Sequence, residues 1–207
     1  MEAVGEGSRQ VVAKVWTVGH SDHEPERFVD LLRQHGISAV ADVRSAPYSR
    51  HVPQFCKDTL AGFLRLAGIA YVFLGRELGA RSDDQAVFTG ERVDFEKLAA
   101  SGPFRQGLER LRSGAEQHRI ALVCAEHDPL HCHRAILVGR RLRELDVQVD
   151  HIHRDGALEA HCALEGRLLD HFGLGAGDLF TPHEQKIAQA YEQQGREMAW
   201  IRPADES

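Results

Sequence analysis

The stretch "CAEHDPLHCHR", Cys124 to Arg134, holds two cysteines, three histidines, two carboxylates and one arginine in eleven residues. Side chains of these types support nucleophilic, redox or metal chemistry. Cys132 stands at the start of an expected helix. The free N–H groups and positive end of a helix stabilise a thiolate, and His131, His133 and Arg134 act in the same direction. Cys132 is therefore the candidate nucleophile; its plainer role is a small buried residue anchoring the helix start. Cys124 ends an apolar strand and reads first as a core thiol. Its sharper reading is a reversible disulfide with Cys132, although seven intervening residues are not a C-x-x-C motif. Glu126, two residues past Cys124, lies on the same side of a continuing strand. It is placed for general acid–base work, or for an ion pair with Arg134 or Arg44.

A metal is the alternative use of the same residues. Cys124, His127, His131, Cys132 and His133 are ligand types, and His20 could lie near them. Zinc sites are usually announced by two short-spaced ligand pairs, and only one cluster occurs here, so no metal ligand is assigned from the sequence. A Cys-based phosphatase needs an arginine six residues after its cysteine, and that position is Val138.

Two further polar loops complete the candidate set. "TVGHS" contributes His20 and Ser21, and "DVRSAPYSR" contributes Asp42, Arg44 and Arg50. Asp42 either orients His20, as a carboxylate orients an imidazole in catalytic pairs, or forms a structural ion pair. Arg44, Arg50 and Arg134, with the helix start, would make an anion pocket for a phosphate or carboxylate. Ser21, His133 and Cys124 are expected among its ligand-binding residues. No P-loop motif occurs.

These loops must be held by regular elements, and the hydrophobic pattern supplies them. Strands are expected over 11–18, 37–44, 69–75, 119–125 and 147–153, from β-branched and apolar runs. Helices are expected over 24–36, 57–68, 94–118 with a break at Gly102-Pro103, and 133–145. Residues 45–55 and 76–93 read as loops, the second a long loop or lid, and 1–10 as a disordered tail. Helices follow over 155–173 and 181–195, the last with Thr181 as N-cap and Pro182 at its first position. His151, His153, His161 and His171 are scattered and read as surface or packing residues.

Five strand–helix alternations predict an α/β fold: a single three-layer domain, a mostly parallel sheet of about five strands with helices on both faces, plus a C-terminal helical extension. The core domain is expected over 11–153 and the extension over 154–207. The commonest order, 3-2-1-4-5, makes strands 1 and 4 neighbours. All three polar loops then meet at the carboxyl edge, where such sheets bind ligands.

Composition bounds the rest. Hydrophobic residues are 43% of 207, enough for one sizeable core. A net charge of −6 argues against an extended nucleic-acid surface. No apolar run approaches the roughly 18 residues of a membrane span. The opening residues lack the basic-then-apolar pattern of a secretory leader, so the four cysteines read as cytosolic thiols. No cofactor is named by the residues, and the oligomeric state is not encoded in any local pattern.

Taken together, "TVGHS", "HGISAVADVRSAPYSRHVPQF", "GIAYVFLGRELGAR", "ALVCAEHDPLHCHRAILVGRRL" and "VDHIH" resemble, in order and spacing over roughly 15–153, a family labelled domain of unknown function 488. The tail from Phe172 to Trp200 is similar to tails in that family. The resemblance implies a single α/β domain with a parallel sheet. It also implies a shared pocket around His20, Asp42, Arg44, Cys124, Glu126, Cys132, His133 and Arg134. No activity transfers. The expectation is a cytosolic enzyme binding a small anionic ligand, phosphorylated, nucleotide-like or derived from a nucleic acid. Arg44 and Arg134 would hold the anion, Glu126 or His20 would handle a proton, and Cys132 would attack. A non-catalytic binding module and a metal protein are the alternatives.

Overall fold

Strands that are apolar on both faces need cover on both faces, and this requirement organises the chain. The computed structural model describes residues 13–175 and 180–203; the tail expected over 1–10 lies outside them. β1 (Lys14–Gly19), α1 (Pro25–Gln34), β2 (Ala39–Asp42), α2 (Lys57–Leu66) and β3 (Ala70–Phe73) alternate as expected. The stretch read as a loop over 76–93 carries more structure than its glycines suggested. It holds the end of α3 (Gly75–Leu78) and a hairpin of β4 (Phe88–Thr89) and β5 (Arg92–Val93).

α4 (Phe95–Ala100) begins at Asp94, whose carboxylate accepts from the N–H groups of Glu96 and Lys97. α5 (Gly102–Ala115) begins at Ser101 and places Pro103 in its first turn, where a missing N–H costs nothing. β6 (Ile120–Cys124) follows. The next helix opens as a π-helix (Arg134–Gly139) and tightens into α6 (Arg140–Glu144). β7 (Gln148–Ile152), β8 (Leu158–Ala160), α7 (His161–His171) and α8 (His183–Met198) complete the fold. The helix expected over 155–173 therefore starts only at His161, because its first residues form a turn and a short strand. Pro182, not Thr181, stands at the cap position of α8.

The sheet order is β3-β2-β6-β1-β7-β8, parallel throughout except for the β7–β8 pair. In the numbering of expected strands this is 3-2-4-1-5, not 3-2-1-4-5. The strand "IALVC" is inserted between β2 and β1, and all five of its residues are buried. Local pattern records that a strand is central but not which strands flank it. The helices cover both faces. α1 and α2 bury Phe28, Leu31 and Leu60 against Trp16, Val18 and Val123. α5, the π-helix and α6 bury Leu108, Leu137 and Leu142 against Val15 and Leu122. α7 and α8 close over the outer side of the π-helix through Leu164, Leu168 and Tyr191. Among the described residues no helix is long and apolar enough to cross a membrane.

Chain direction after β2 and after β6 diverges, since one leads on to β3 and the other returns past β1 to β7. A crevice opens outside the carboxyl ends of strands at such a reversal. Registers Gly19↔Cys124 and Asp42↔Val123 bring the three polar loops to one level.

Candidate functional site

Two backbone features bring the loops together. The pairing of β1 with β6 continues past the strand ends, His20 N–H donating to the Cys124 carbonyl at 2.8 Å and Ser21 N–H to that of Ala125 at 2.9 Å. Gly19 is required by proximity: a Cβ there would lie 1.9 Å from the Glu126 carbonyl oxygen. Any side chain at 19 would displace the loop that carries Glu126.

At the floor of the crevice four side chains converge. Cys124 Sγ and Cys132 Sγ lie 3.2 and 3.0 Å from the same atom, Glu126 Oε2. His133 Nδ1 is 3.5 Å from Cys124 Sγ. His133 Nε2 is 2.9 Å from the Val43 carbonyl, which can only accept. The proton of a neutral His133 is thus on Nε2, and the Nδ1 lone pair faces the thiols. The ligand atoms of Cys124, Cys132 and His133 all lie within 4.8 Å of one another. All three residues are buried, and all four cysteines of the chain are free.

The electrostatics follow from crowding and burial. Burial would raise the Cys132 thiol, but the Cys124 S–H, Arg134 and His133 outweigh it and hold Cys132 well below the usual thiol range. Cys124 moves the other way, through its hydrogen bond to Cys132 and through burial. Burial and the neighbouring Cys132 push Glu126 up. His133 is raised despite its burial, because it faces Cys132. Cys132 does sit where a helix starts: its carbonyl accepts from the N–H groups of Ala135 and Ile136.

The arginines and His20 are arranged differently. Arg44 makes a two-pronged pair with Asp42, Nε to Oδ1 at 2.9 Å and Nη2 to Oδ2 at 2.7 Å. Its Nη1 donates to the Phe55 carbonyl at 2.8 Å and to His20 Nε2 at 3.0 Å. Asp42 also accepts from Tyr71 Oη at 2.9 Å. Asp42 therefore reaches His20 only through Arg44. His20 Nδ1 is 2.9 Å from the Ser21 carbonyl and its ring stacks on Phe55 at 4.4 Å. Its one lone pair is occupied by Arg44. Burial, with Arg44 beside it, brings its pKa down to about 4.

Arg134 is fully buried. Its Nη1 donates to the Glu126 carbonyl at 2.5 Å, Nη2 to that of His127 at 3.0 Å, and Nε to Thr17 Oγ1 at 3.3 Å. It clamps the loop that presents Glu126. The π-helix that begins at Arg134 is a wide turn of the kind often found at functional sites. Ser21 and Arg50 are not drawn into the cluster. Ser21 bonds Asp22 and Arg154 at the surface, and Arg50 is exposed.

A cavity of about 250 Å³ opens above Cys124, Glu126 and His133. Its rim includes Arg44, Arg81, His131 and Trp200, with the Arg81 guanidinium over the Trp200 ring. A larger cleft, about 760 Å³, lies between β5, α4, the π-helix and α8. There Arg140 and Arg141 pair with Glu96, and Arg196 with Glu192, so its charges neutralise each other.

Several participants were not legible as site residues. Val43 and Phe55 act through carbonyls, which no residue type announces. Tyr71 lies one strand away, and Arg81 and Trp200 come from remote segments. His151 and His161, read as surface or packing residues, are buried and hydrogen-bonded to each other at 2.9 Å. The available signal was Thr17, a polar position in the apolar run "VWTVG" and paired in register with His151; β7, "QVDHI", is polar at three of its five positions and gave none.

Among protein families, the one described as Domain of unknown function DUF488 matches residues 24–140, more than half of the chain. Neither curated proteins nor solved structures give a match.

Proposed function

This chain belongs to the DUF488 family, and from that premise we propose that it is a metal-dependent enzyme acting on a small anionic substrate. The ion is a divalent cation of the zinc class. Cys124 Sγ, Cys132 Sγ and His133 Nδ1 hold it, and Glu126 serves as the acid–base group beside the fourth position. One observation carries the reading: three soft or borderline donors converge within 4.8 Å, and the histidine among them is braced from behind by the Val43 carbonyl.

Zinc bonds of about 2.0–2.3 Å at a tetrahedral angle put neighbouring donors roughly 3.5–3.8 Å apart. The Cys124–His133 separation of 3.5 Å matches that edge. A backbone carbonyl on the second imidazole nitrogen is the usual support of a metal-bound histidine. Three protein ligands leave an open position for water or substrate, as in catalytic rather than structural zinc sites. A bound ion would lower the pKa of that water, and Glu126 would take its proton. In this reading Cys132 is a ligand and not a nucleophile.

The cavity rim favours an anionic group, phosphorylated or nucleotide-like, with Arg81 as the more available cation because Arg44 is engaged by Asp42. Free cysteines suit a reducing, cytosolic compartment. The core domain expected over 11–153 would carry the cluster, and the C-terminal extension adds Met198 and Trp200 to the cavity lining.

Elemental analysis of the purified full chain tests the ion. About one equivalent of zinc, iron or cobalt per chain is expected, lost in Cys124→Ser, Cys132→Ser and His133→Ala. Cobalt substitution should give thiolate-to-metal charge-transfer bands. A chain that binds no metal under reducing conditions would overturn the reading. A Cys124–Cys132 disulfide formed with mild oxidant would then select a dithiol site, which the shared contact to Glu126 Oε2 favours as the second reading. Glu126→Gln separates enzyme from binding module: metal retained and turnover of a phosphate-ester and nucleotide panel lost supports catalysis.

A further inference from the structure

Arg134 is fully buried and, among the described residues, donates only to neutral oxygens, while its charge helps to hold Cys132 low. Its Nε, however, starts a chain of hydrogen bonds that runs away from the cysteine cluster. Thr17 Oγ1 lies 2.8 Å from His151 Nδ1. His151 Nε2 lies 2.9 Å from His161 Nδ1. His161 Nε2 lies 2.8 Å from Tyr191 Oη, and that hydroxyl is 3.1 Å from Glu165 Oε1. Glu165 in turn pairs with Arg143 near the surface.

The direction of every proton in this chain is determined. An ionised Glu165 only accepts, so Tyr191 spends its single O–H on it. His161 must then donate to Tyr191 from Nε2, which leaves its Nδ1 as an acceptor. His151 must donate from Nε2 for the same reason, and its Nδ1 must accept from the Thr17 hydroxyl. The other end agrees, because Arg134 can only donate to Thr17. All five links point from the cation toward the carboxylate, and aligned links of this kind polarise one another. Both imidazoles are kept neutral by burial, His161 with its pKa pushed down to about 3 and His151 well below the usual range, further lowered by His161.

We propose that Thr17, His151, His161 and Tyr191 are positioning residues: a one-way hydrogen-bond chain that ties buried Arg134 to the Glu165 carboxylate and so fixes the loop presenting Glu126 to the cysteine cluster. Arg134 has three nitrogens in use, one on the chain and two on the carbonyls of Glu126 and His127. A shift at Thr17 is thus passed to the backbone of Glu126. The chain reaches into α7 and α8, and adds to the direct contacts of these helices with the loop, Arg167 to Asp128 and Gln194 to the Leu130 carbonyl. It stands whether or not a metal occupies the cluster.

The first test needs no ligand. Nitrogen-15 spectra of histidine-labelled full chain at neutral pH should show His151 and His161 as neutral Nε2–H tautomers. The Nδ1–H tautomer or an imidazolium at either position would overturn the proposal. The second test uses Tyr191→Phe, which removes one oxygen four links from Arg134. Where cobalt binds, its affinity should fall about tenfold and its charge-transfer band should move, by comparison with the usual effect of outer-shell changes. Where no metal binds, the alkylation rates of Cys124 and Cys132 should change severalfold instead, which separates failure of this proposal from failure of the metal reading. Glu165→Gln keeps an acceptor and removes the charge, and should give a smaller change of the same sign. A folded Tyr191→Phe chain with unchanged cobalt spectrum, cobalt affinity and thiol reactivity would refute the positioning role. If that variant does not fold, the tautomers of the unaltered chain decide.

Discussion

Two buried polar clusters sit side by side at the same sheet edge, and they differ in how their valences are filled. Around Asp42, every strong donor has an acceptor: Arg44, Tyr71, His20 and the carbonyls of Ser21 and Phe55 satisfy one another. Around Glu126, two thiols and one carboxylate oxygen crowd together with an imidazole lone pair beside them. The first arrangement lowers its own energy and leaves nothing over for a ligand. The second presents electron pairs to a common point. Residue types alone would rank the clusters equally, and geometry separates a closed ion-pair network from a cluster whose donor atoms crowd together.

The sharpest way to break this contrast is Arg44→Ala. It strands the fully buried Asp42 carboxylate, and removal of one partner from such a pair costs about 3–5 kcal/mol. Chemical denaturation should show that loss with chelator present. A loss below about 1 kcal/mol would mean that the Asp42 cluster is not a closed ion-pair network. His20 gives the next largest effect. It is neutral when folded, with a pKa of about 4, and protonates freely at about 6.5 when unfolded. Its contribution is therefore complete above about pH 6.5 and lost as pH falls toward 4, to a limit of ~3 kcal/mol. Stability measured across that window should fall less steeply in His20→Gln; an equal fall in both chains would refute the assignment.

Cys132→Ser tests the other side. Metal affinity should drop about a hundredfold or more, while stability with chelator changes by only about 1 kcal/mol, because serine can still bond Glu126. Equal losses of stability in Cys132→Ser and Arg44→Ala would erase the distinction. The smallest effects belong to Ser21→Ala and Arg50→Ala, which lie outside both clusters. Stability should stay within about 0.5 kcal/mol and metal affinity within about twofold.

The fold was legible where apolar period and end signals coincide. "VWTVG", "AVAD" and "IALVC" read as buried strands, and Gly102-Pro103 marked the break between two helices. Strand neighbours were not legible, since β6 lies between β2 and β1 through long-range pairing that no local pattern records. β8 was missed because Leu158–Ala160 is only three residues long and runs directly into the helical pattern of α7. At the site, Cys124, Glu126, Cys132 and His133 were all nominated by spacing. Their roles were not, because Val43 contributes only a carbonyl. Arg44 and Arg134 looked like free cations, and only their partners reveal them as engaged.

The insertion of β6 between β2 and β1 also bears on synthesis. The ribosome delivers β1, α1, β2, α2 and β3 while the strand that both β1 and β2 pair with is still some hundred residues from β1 in sequence. Until Ile120–Cys124 emerges, β2 lacks its native partner on one edge and β1 lacks one on both, because β7 comes later still, and long-range parallel pairing is slow. The same late segment brings Cys124 and, a few residues on, Cys132 and His133. The nascent chain therefore joins its two early strands and brings in its thiol cluster with the same segment, and β7 and β8 complete the sheet afterwards.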